Sequence, residues 1–222
     1  MPVLTAGNLM VMPTDSHSAR FFRIASDLAR EIDPALIDAM AEGLASVRQR
    51  GGRLFVLGIG GGAGHASHAV NDFRKLCHIE SYAPTDNVSE LTARTNDDGW
   101  DTSIVAWLEV SRLGAADGLM VFSVGGGSRE HGVSIPLVNA IERAREVGAS
   151  IFGVVGSADG TLARLADVAV VIEPPSDLKT PLVESFQAVV WHALVSHPCL
   201  ARQEGHWEAL TSVSTHTSRV PS

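Results

Sequence analysis

The stretch Arg53-Leu-Phe-Val-Leu-Gly-Ile-Gly-Gly-Gly-Ala-Gly64 joins a short apolar run to a glycine-rich turn. Residues 53–57 show no alternation of apolar and polar side chains, which is typical of a strand buried on both faces. The glycines follow directly and lead into a helical pattern that continues to about Leu76. A strand, a glycine turn and a helix in this order predict one unit of a parallel α/β sheet.

The same unit recurs further along the chain. A second apolar run, 118–123, is followed by Gly125-Gly-Gly127 and a helical pattern from about His131 to Val147. Two more apolar runs and a last helical pattern complete the series, at 150–155, 168–172 and about 180–196. Alternating strands and helices at this spacing predict a parallel sheet that is covered by helices on both faces.

Two helical patterns, 15–29 and 34–50, precede the first strand. We therefore predict an α/β fold with N-terminal helices and one domain over residues 15–200. An N-terminal extension over 1–14 and a polar, Ser/Thr-rich tail over 201–222 flank this domain.

The composition of the chain argues against several classes of protein. The 222 residues are 45% hydrophobic and carry a formal net charge of −8, which argues against a nucleic-acid-binding protein. No apolar run approaches the ~18–20 residues that span a bilayer, and no basic residue precedes the apolar N-terminal stretch as in a secretory signal. Cys77 and Cys199 offer neither a disulfide framework nor metal-type spacing. We expect a cytoplasmic protein with no membrane partner.

The two glycine clusters, Gly58–Gly64 and Gly125–Gly127, each follow a predicted strand. Turns of this kind let backbone N–H groups approach an anion beside the positive end of a helix dipole. Neither cluster completes a dinucleotide or nucleotide-phosphate motif, because the acidic residue or the Lys-Ser/Thr ending is missing. The clusters favour a small anion such as a sugar phosphate, although tight turns alone also require glycine.

Five pieces of sequence, in order, resemble the phosphoheptose isomerases of the sugar isomerase (SIS) domain family. That family typically has Gly-Asn-Gly-Gly-Ser-Ala followed by a histidine and a glutamate, Asn-Asp-Tyr-Gly-Tyr, Ser-Thr-Ser-Gly-Asn-Ser, and Thr-Pro-Arg-Ile-Gln with a later histidine. The matching pieces here are Gly58–Ala63, His68 with Asp72, Asn96–Trp100, Ser123–Ser128, and Thr180-Pro181 with Glu184 and His192.

The resemblance implies a flavodoxin-like three-layer sandwich that acts as an aldose–ketose isomerase. It implies sedoheptulose 7-phosphate or a related heptose phosphate as substrate and a homotetramer with its active sites at subunit interfaces. It also implies that Asp72 is the catalytic base and His192 the acid, with Glu184 as a candidate replacement base. A zinc or other divalent ion would lie near His68, Asp72, Glu184 and His192. The implied substrate-binding residues are Gly60, Gly61, Gly62, Asn96, Asp97, Ser123, Gly125, Gly126, Ser128 and Thr180.

Several positions depart from the family pattern. Hydroxyl and amide side chains of the two loops are replaced here by Ile59, Gly62, Val124, Gly125 and Gly127. Asp72 is one methylene shorter than the family's glutamate, and Glu184 is an acid in place of its glutamine. These changes leave the sugar open and favour backbone N–H groups as the phosphate ligands.

The geometry of one helix also leaves alternatives open. Eight helical residues separate Glu184 from His192 by about 12 Å along the axis and about 80° around it, which makes a shared ion difficult. They serve either neighbouring positions in a long pocket or a site shared with another chain. A non-catalytic SIS module that binds a sugar phosphate or a protein is the alternative function, and epimerisation of a carbonyl substrate is a third.

Overall fold

The structure, a computed structural model, describes residues 16–203, so the predicted extension over 1–14 and the tail beyond 203 lie outside it. The strands are β1 (Leu54–Gly58), β2 (Ser81–Tyr82), β3 (Gly118–Ser123), β4 (Ser150–Val155) and β5 (Val168–Val171). The α-helices are α1 (His17–Glu31), α2 (Pro34–Gln49), α3 (Gly61–Cys77), α4 (Val88–Asp97), α5 (Trp100–Val110), α6 (Ile135–Glu146), α7 (Thr161–Leu165) and α8 (Lys179–Val195).

The five strands form one parallel sheet in the order β2-β1-β3-β4-β5. This confirms the predicted α/β class, and the order is that of a flavodoxin-like doubly wound sheet. The chain reverses its winding direction between β1 and β3, so the loops after these two strands lie side by side. Ligands of open α/β sheets bind at such a point.

Each face of the sheet is covered by a separate apolar core. One core is built with α2, α3 and α8, and its largest side chains include Phe73, Met40 and Phe186. The other is built with α5, α6 and α7 and includes Phe55, Ile104 and Leu162. The three-layer arrangement places α3 and α8 next to each other on one face.

The amino ends of β1 and β3 are joined by a buried ion pair. Asp117, which is 4% exposed, accepts hydrogen bonds from the Arg53 guanidinium and from the N–H groups of Arg53 and Gly114. The Arg53 Nη2 to Asp117 Oδ2 distance is 2.8 Å. Burial alone would raise the pKa of Asp117, but these hydrogen bonds outweigh burial and hold the pKa below its ordinary value.

The helix predicted from about His131 starts later, at Ile135. The reason is a tight turn in which the backbones of Ser128 and Val133 pair as an antiparallel bridge. Ser134 then has a positive φ of 51°, which is incompatible with a continuous helix. None of the helices within residues 16–203 is long and apolar enough to cross a bilayer.

Candidate functional site

A cavity of about 240 Å³ lies between the loops that follow β1 and β3. We call it the loop cavity. It is at the carboxyl ends of the two strands where the sheet reverses its winding, as expected for a ligand site. Its lining residues are Ile59, Gly62, Phe122, Ser123, Val124, Gly125, Val133, Ser134, Leu137, Glu184 and Gln187.

Glycine is required in the first loop by close packing. Gly60 has a positive φ of 61°, and a Cβ on Gly62 would lie 2.7 Å from the carbonyl oxygen of Phe122. The serine that the family has at position 62 therefore does not fit here without a shift of the backbone. The first turn of α3 approaches β3 more closely than a hydroxyl-bearing loop allows.

Glu184 packs directly against this loop. Any Cβ on Gly61 would clash with the Glu184 carboxylate, so the acid lies against the first residue of α3. The amino end of a helix carries partial positive charge, and a carboxylate there is favourable. This placement puts a negative charge at the mouth of the loop cavity.

The hydroxyls of the second loop bond within the loop itself. Ser123 Oγ accepts a hydrogen bond of 3.0 Å from the N–H of Gly126. Ser128 Oγ accepts from the N–H of His131 at 3.2 Å and lies 2.9 Å from His131 Nδ1. The serines thus shape the loop, and Ser128 faces a neighbouring cavity of about 530 Å³ rather than the loop cavity.

The structure brings together some of the predicted substrate-binding residues. Gly62, Ser123 and Gly125 line the loop cavity. The other predicted substrate-binding residues lie outside the lining of the loop cavity. Gly60 and Gly61 are at the edge of the cavity, Gly126 packs against Val155, Ser128 is in the neighbouring cavity, Thr180 is at the start of α8, and Asn96 and Asp97 are at the end of α4.

A second group of polar side chains lies further along α3 and α8. We call His68, Asp72 and His192 the histidine cluster, since one potential ligand atom from each lies within 4.8 Å of the others. Asp72 Oδ2 is 3.5 Å from His68 Nε2 and 3.7 Å from His192 Nε2. Asp72 is 8% exposed, whereas both histidine side chains are more than half exposed.

Hydrogen bonds orient the cluster. Trp191 Nε1 donates to Asp72 Oδ2 at 3.1 Å, and Asn71 Nδ2 donates to Asp72 Oδ1 at 3.0 Å. His192 Nδ1 lies 2.8 Å from the carbonyl oxygen of Ala188, which can only accept, so Nδ1 carries a proton. The other ring nitrogen, Nε2, faces Asp72.

The fourth predicted ligand, Glu184, is not part of this cluster. It lies against Gly61, eleven residues before Asp72 on α3, while His192 lies eight residues after Glu184 on α8. These separations correspond to about 16 Å and about 12 Å along the two helix axes. The loop cavity and the histidine cluster are thus two ends of one α3–α8 interface.

His65 and Gln187 occupy the middle of that interface. His65 Nδ1 lies 2.9 Å from Gln187 Oε1, and the His65 ring packs on Trp191 with centroids 5.1 Å apart. In the sequence, His65 is marked only by its position three residues before His68, and Gln187 only by its position three residues after Glu184. The pairing of these two residues emerges only when α3 and α8 come together.

Curated relatives of the chain include a family of known isomerases. The chain is 32% identical over 167 residues to the phosphoheptose isomerase of Rhodospirillum rubrum, covering 72% of this chain and 82% of that protein. It is 35% identical over 187 residues to the lincomycin biosynthesis protein LmbN of Streptomyces lincolnensis, covering 79% of this chain and 65% of LmbN. A scan against models of protein families found no match.

Solved structures share the fold. The phosphoheptose isomerase of Francisella tularensis has a TM-score of 0.71 at 20% identity and covers 83% of this chain and 97% of its own. That of Neisseria gonorrhoeae has a TM-score of 0.69 at 23% identity, with 80% and 94% covered. The sheet order, the paired glycine loops and the relative from Rhodospirillum rubrum agree, and the chain belongs to the phosphoheptose isomerase family of SIS-domain proteins.

Proposed function

We propose that the protein is an aldose–ketose isomerase that acts on a sugar phosphate, most favourably sedoheptulose 7-phosphate or a related heptose. The observation that carries this proposal is the 3.7 Å separation between Asp72 Oδ2 and His192 Nε2. An isomerase needs a base at a carbon and an acid at the neighbouring carbonyl oxygen, so the two groups must reach adjacent atoms. Family membership supports the same reaction.

Asp72 acts as the base and His192 as the acid. The Asp72 carboxylate removes the proton from the carbon next to the carbonyl and returns it to the former carbonyl carbon. Protonated His192 donates from Nε2 to the carbonyl oxygen, and Nε2 then takes the proton of the neighbouring hydroxyl as that oxygen becomes the new carbonyl. The Nδ1–H bond of His192 to Ala188 holds the ring in place throughout. Trp191 keeps the shorter aspartate side chain at a fixed position, because its indole N–H donates to Asp72 Oδ2.

The histidine cluster fits a divalent cation. Two imidazole Nε2 atoms and a carboxylate oxygen converge within 4.8 Å, and three protein ligands with an open position are typical of catalytic zinc. His68, Asp72 and His192 would hold the ion, which would polarise a substrate oxygen as a Lewis acid in place of the Nε2 proton of His192. Glu184 precedes His192 by eight residues on α8 and packs against the first glycine loop. We therefore assign it an influence on ligand binding and not a place among the ligands of the ion.

The loop cavity receives the phosphate end of the substrate through backbone N–H groups of the two glycine loops. An extended heptose phosphate is long enough to reach from these loops toward the histidine cluster, about 12 Å away along α8. The Glu184 carboxylate opposes an anion at the cavity mouth, which weakens phosphate binding relative to a neutral glutamine.

We also propose the homotetramer implied by the resemblance. In the monomer, Phe22 on α1 is 71% exposed, and α4 has no buried side chain. Packing of another copy on these helices would bury this surface and bring Asn96 and Asp97 of that copy toward a neighbouring α3–α8 interface. Light scattering of the purified protein tests the stoichiometry, and a monomer would contradict the proposal.

The isomerase proposal is tested by incubating the protein with sedoheptulose 7-phosphate and following the anomeric carbons by nuclear magnetic resonance. Conversion to an aldose phosphate is expected, and no conversion of this or a related ketose phosphate would contradict it.

The loss of loop hydroxyls at positions such as Val124 and Gly125 favours the second candidate, a binding module without catalysis. Tight binding without conversion would be the result expected of that module.

A further inference from the structure

The middle of the α3–α8 interface holds a buried amide. Gln187 is fully buried, and its Nε2 has no hydrogen-bond partner among residues 16–203. Nearly all buried polar atoms in native proteins have a partner. Gln187 also lines the loop cavity, so its side chain borders space that a ligand can enter.

The Gln187 side chain is fixed in this orientation. Its Oε1 can only accept, so the 2.9 Å contact with His65 Nδ1 means that His65 carries the proton there. His65 is in turn packed on Trp191 and edge-on against Phe122, with a centroid separation of 6.3 Å to the phenyl ring. With His65 in this tautomer the amide is a preorganised donor, because turning it over would place two N–H groups face to face.

We propose that Gln187 is a substrate-binding residue whose Nε2 donates to a hydroxyl oxygen of the sugar chain. The inference rests on the proposed function, since it places the sugar between the loops and the histidine cluster. Gln187 lies one helical turn beyond Glu184 and one turn before the Trp191–His192 pair. This is the position of the middle carbons of a sugar that extends along α8.

The charges around the cavity favour a hydroxyl over a phosphate at this position. Glu184 lines the same cavity, and its described lining contains no lysine or arginine. A phosphate dianion beside Gln187 would lie near that carboxylate, whereas at the two glycine loops backbone N–H groups are proposed to compensate its charge. A hydroxyl can accept from Gln187 Nε2 and still has a proton to donate to a carboxylate such as Glu184.

Two variants separate the donor from the rest of the side chain. Gln187→Met keeps the size of the side chain and removes the amide, whereas Gln187→Glu keeps an acceptor for His65, replaces the donor with an acceptor and adds a carboxylate. Gln49→Met on the exposed end of α2 is the matched control. The measurements are KM and kcat for sedoheptulose 7-phosphate, and calorimetric affinities for the same sugar phosphate and for inorganic phosphate.

Both Gln187 variants are expected to raise KM about tenfold with kcat changed by less than about threefold, because a bond made equally in the ground and transition states is lost. The affinity of Gln187→Met for inorganic phosphate should equal that of the wild type. Unchanged KM with a lowered Tm would show a structural role and overturn the inference. An equal loss of inorganic phosphate binding would place a phosphate at Gln187 and also overturn it.

The inference and the isomerase proposal fail in different ways. If the wild type binds sedoheptulose 7-phosphate but does not convert it, the isomerase proposal fails and calorimetry alone decides the role of Gln187. If Gln187→Met bound the sugar phosphate about tenfold more weakly and inorganic phosphate with unchanged affinity, the inference would still be supported. If the wild type binds sedoheptulose 7-phosphate no better than inorganic phosphate, the inference is overturned.

Discussion

The polar groups at the two ends of the parallel sheet differ in how they are hydrogen-bonded. At the amino ends, the buried Asp117 carboxylate accepts four hydrogen bonds from Arg53 and Gly114. On the carboxyl side, the Gln187 amide nitrogen has no partner within residues 16–203, and His68 and His192 present exposed rings beside Asp72. The Asp117 carboxylate is thus satisfied by its own chain, whereas we propose that Gln187 and the two histidines serve a ligand.

This comparison separates stability from function. Substitutions at the amino end should change the free energy of unfolding and leave catalysis alone, since they lie at the opposite edge of the sheet from the loop cavity. Substitutions along the α3–α8 interface should do the reverse, because exposed or partnerless groups contribute little to folding. The predictions below test this separation.

The largest effect is expected for His192→Gln. Loss of the acid should lower kcat by about 10²–10⁴-fold, the range typical of general acid–base catalysis. Because the ring is more than half exposed, the midpoint of thermal unfolding should change little. Steady-state kinetics and calorimetric unfolding of the same preparation measure both. A variant with wild-type kcat would remove His192 from the mechanism.

The opposite outcome is expected at the amino end for Asp117→Asn. The folded pKa of Asp117 is lowered, so its ionised form stabilises the fold at neutral pH, and this contribution is lost as the pH falls below about 4. The free energy of unfolding of the variant should be about 2–3 kcal/mol lower than that of the wild type at pH 7, and this difference should become smaller in acid. Urea unfolding between pH 3 and pH 7 measures this.

Asp27→Asn, on the exposed surface of α1, is the control for Asp117→Asn and should change stability by less than about 0.5 kcal/mol. The kcat of Asp117→Asn should equal that of the wild type. If kcat fell strongly while the variant was fully folded, the two ends of the sheet would not be separable.

Metal content distinguishes the histidine cluster from an ordinary surface. The protein dialysed against zinc should retain about one equivalent per chain, and His68→Ala should weaken binding by more than about tenfold. His17→Ala on α1 is exposed and serves as the control. Elemental analysis after gel filtration measures the content. Equal zinc in His68→Ala and the wild type would exclude the cluster as the binding site.

The smallest effect is expected for Glu184→Gln, which restores the glutamine of the family. Removing a negative charge at the cavity mouth should tighten inorganic phosphate binding by about threefold, with the gain reduced at high salt. Zinc content should not change, because Glu184 packs on Gly61 and not in the histidine cluster. Loss of zinc in this variant would instead make Glu184 the fourth ligand.

The fold was largely predictable because its strands are buried. The bounds of β3 and β4 agree with the apolar runs 118–123 and 150–155, since strands covered on both faces have no polar interruptions. Strand β2 has only two residues, Ser81 and Tyr82, too few to leave a pattern. The start of α6 was wrong by four residues, because a paired turn rather than a helix follows the second loop.

The site was less predictable because its groups meet through space. The spacing of His68 and Asp72 on one helix showed in the sequence that the two side chains share a face. The partner of Gln187 is His65, 122 residues away, and a single glutamine in an apolar helix has no spacing that marks it. Likewise, the clash between a Cβ on Gly61 and the Glu184 carboxylate depends on how α3 and α8 pack.

The turnover number of Asp72→Asn with sedoheptulose 7-phosphate, measured beside that of Glu184→Gln, tests the central claim most directly. Asparagine keeps an acceptor for the Trp191 N–H but cannot take a proton, so kcat should fall by at least about 10²-fold with an unchanged unfolding midpoint. Glu184→Gln should keep kcat within about threefold of the wild type. If Asp72→Asn remained active and Glu184→Gln became inactive, the base would be at the loop cavity, and the assignment of catalysis to the histidine cluster would be wrong.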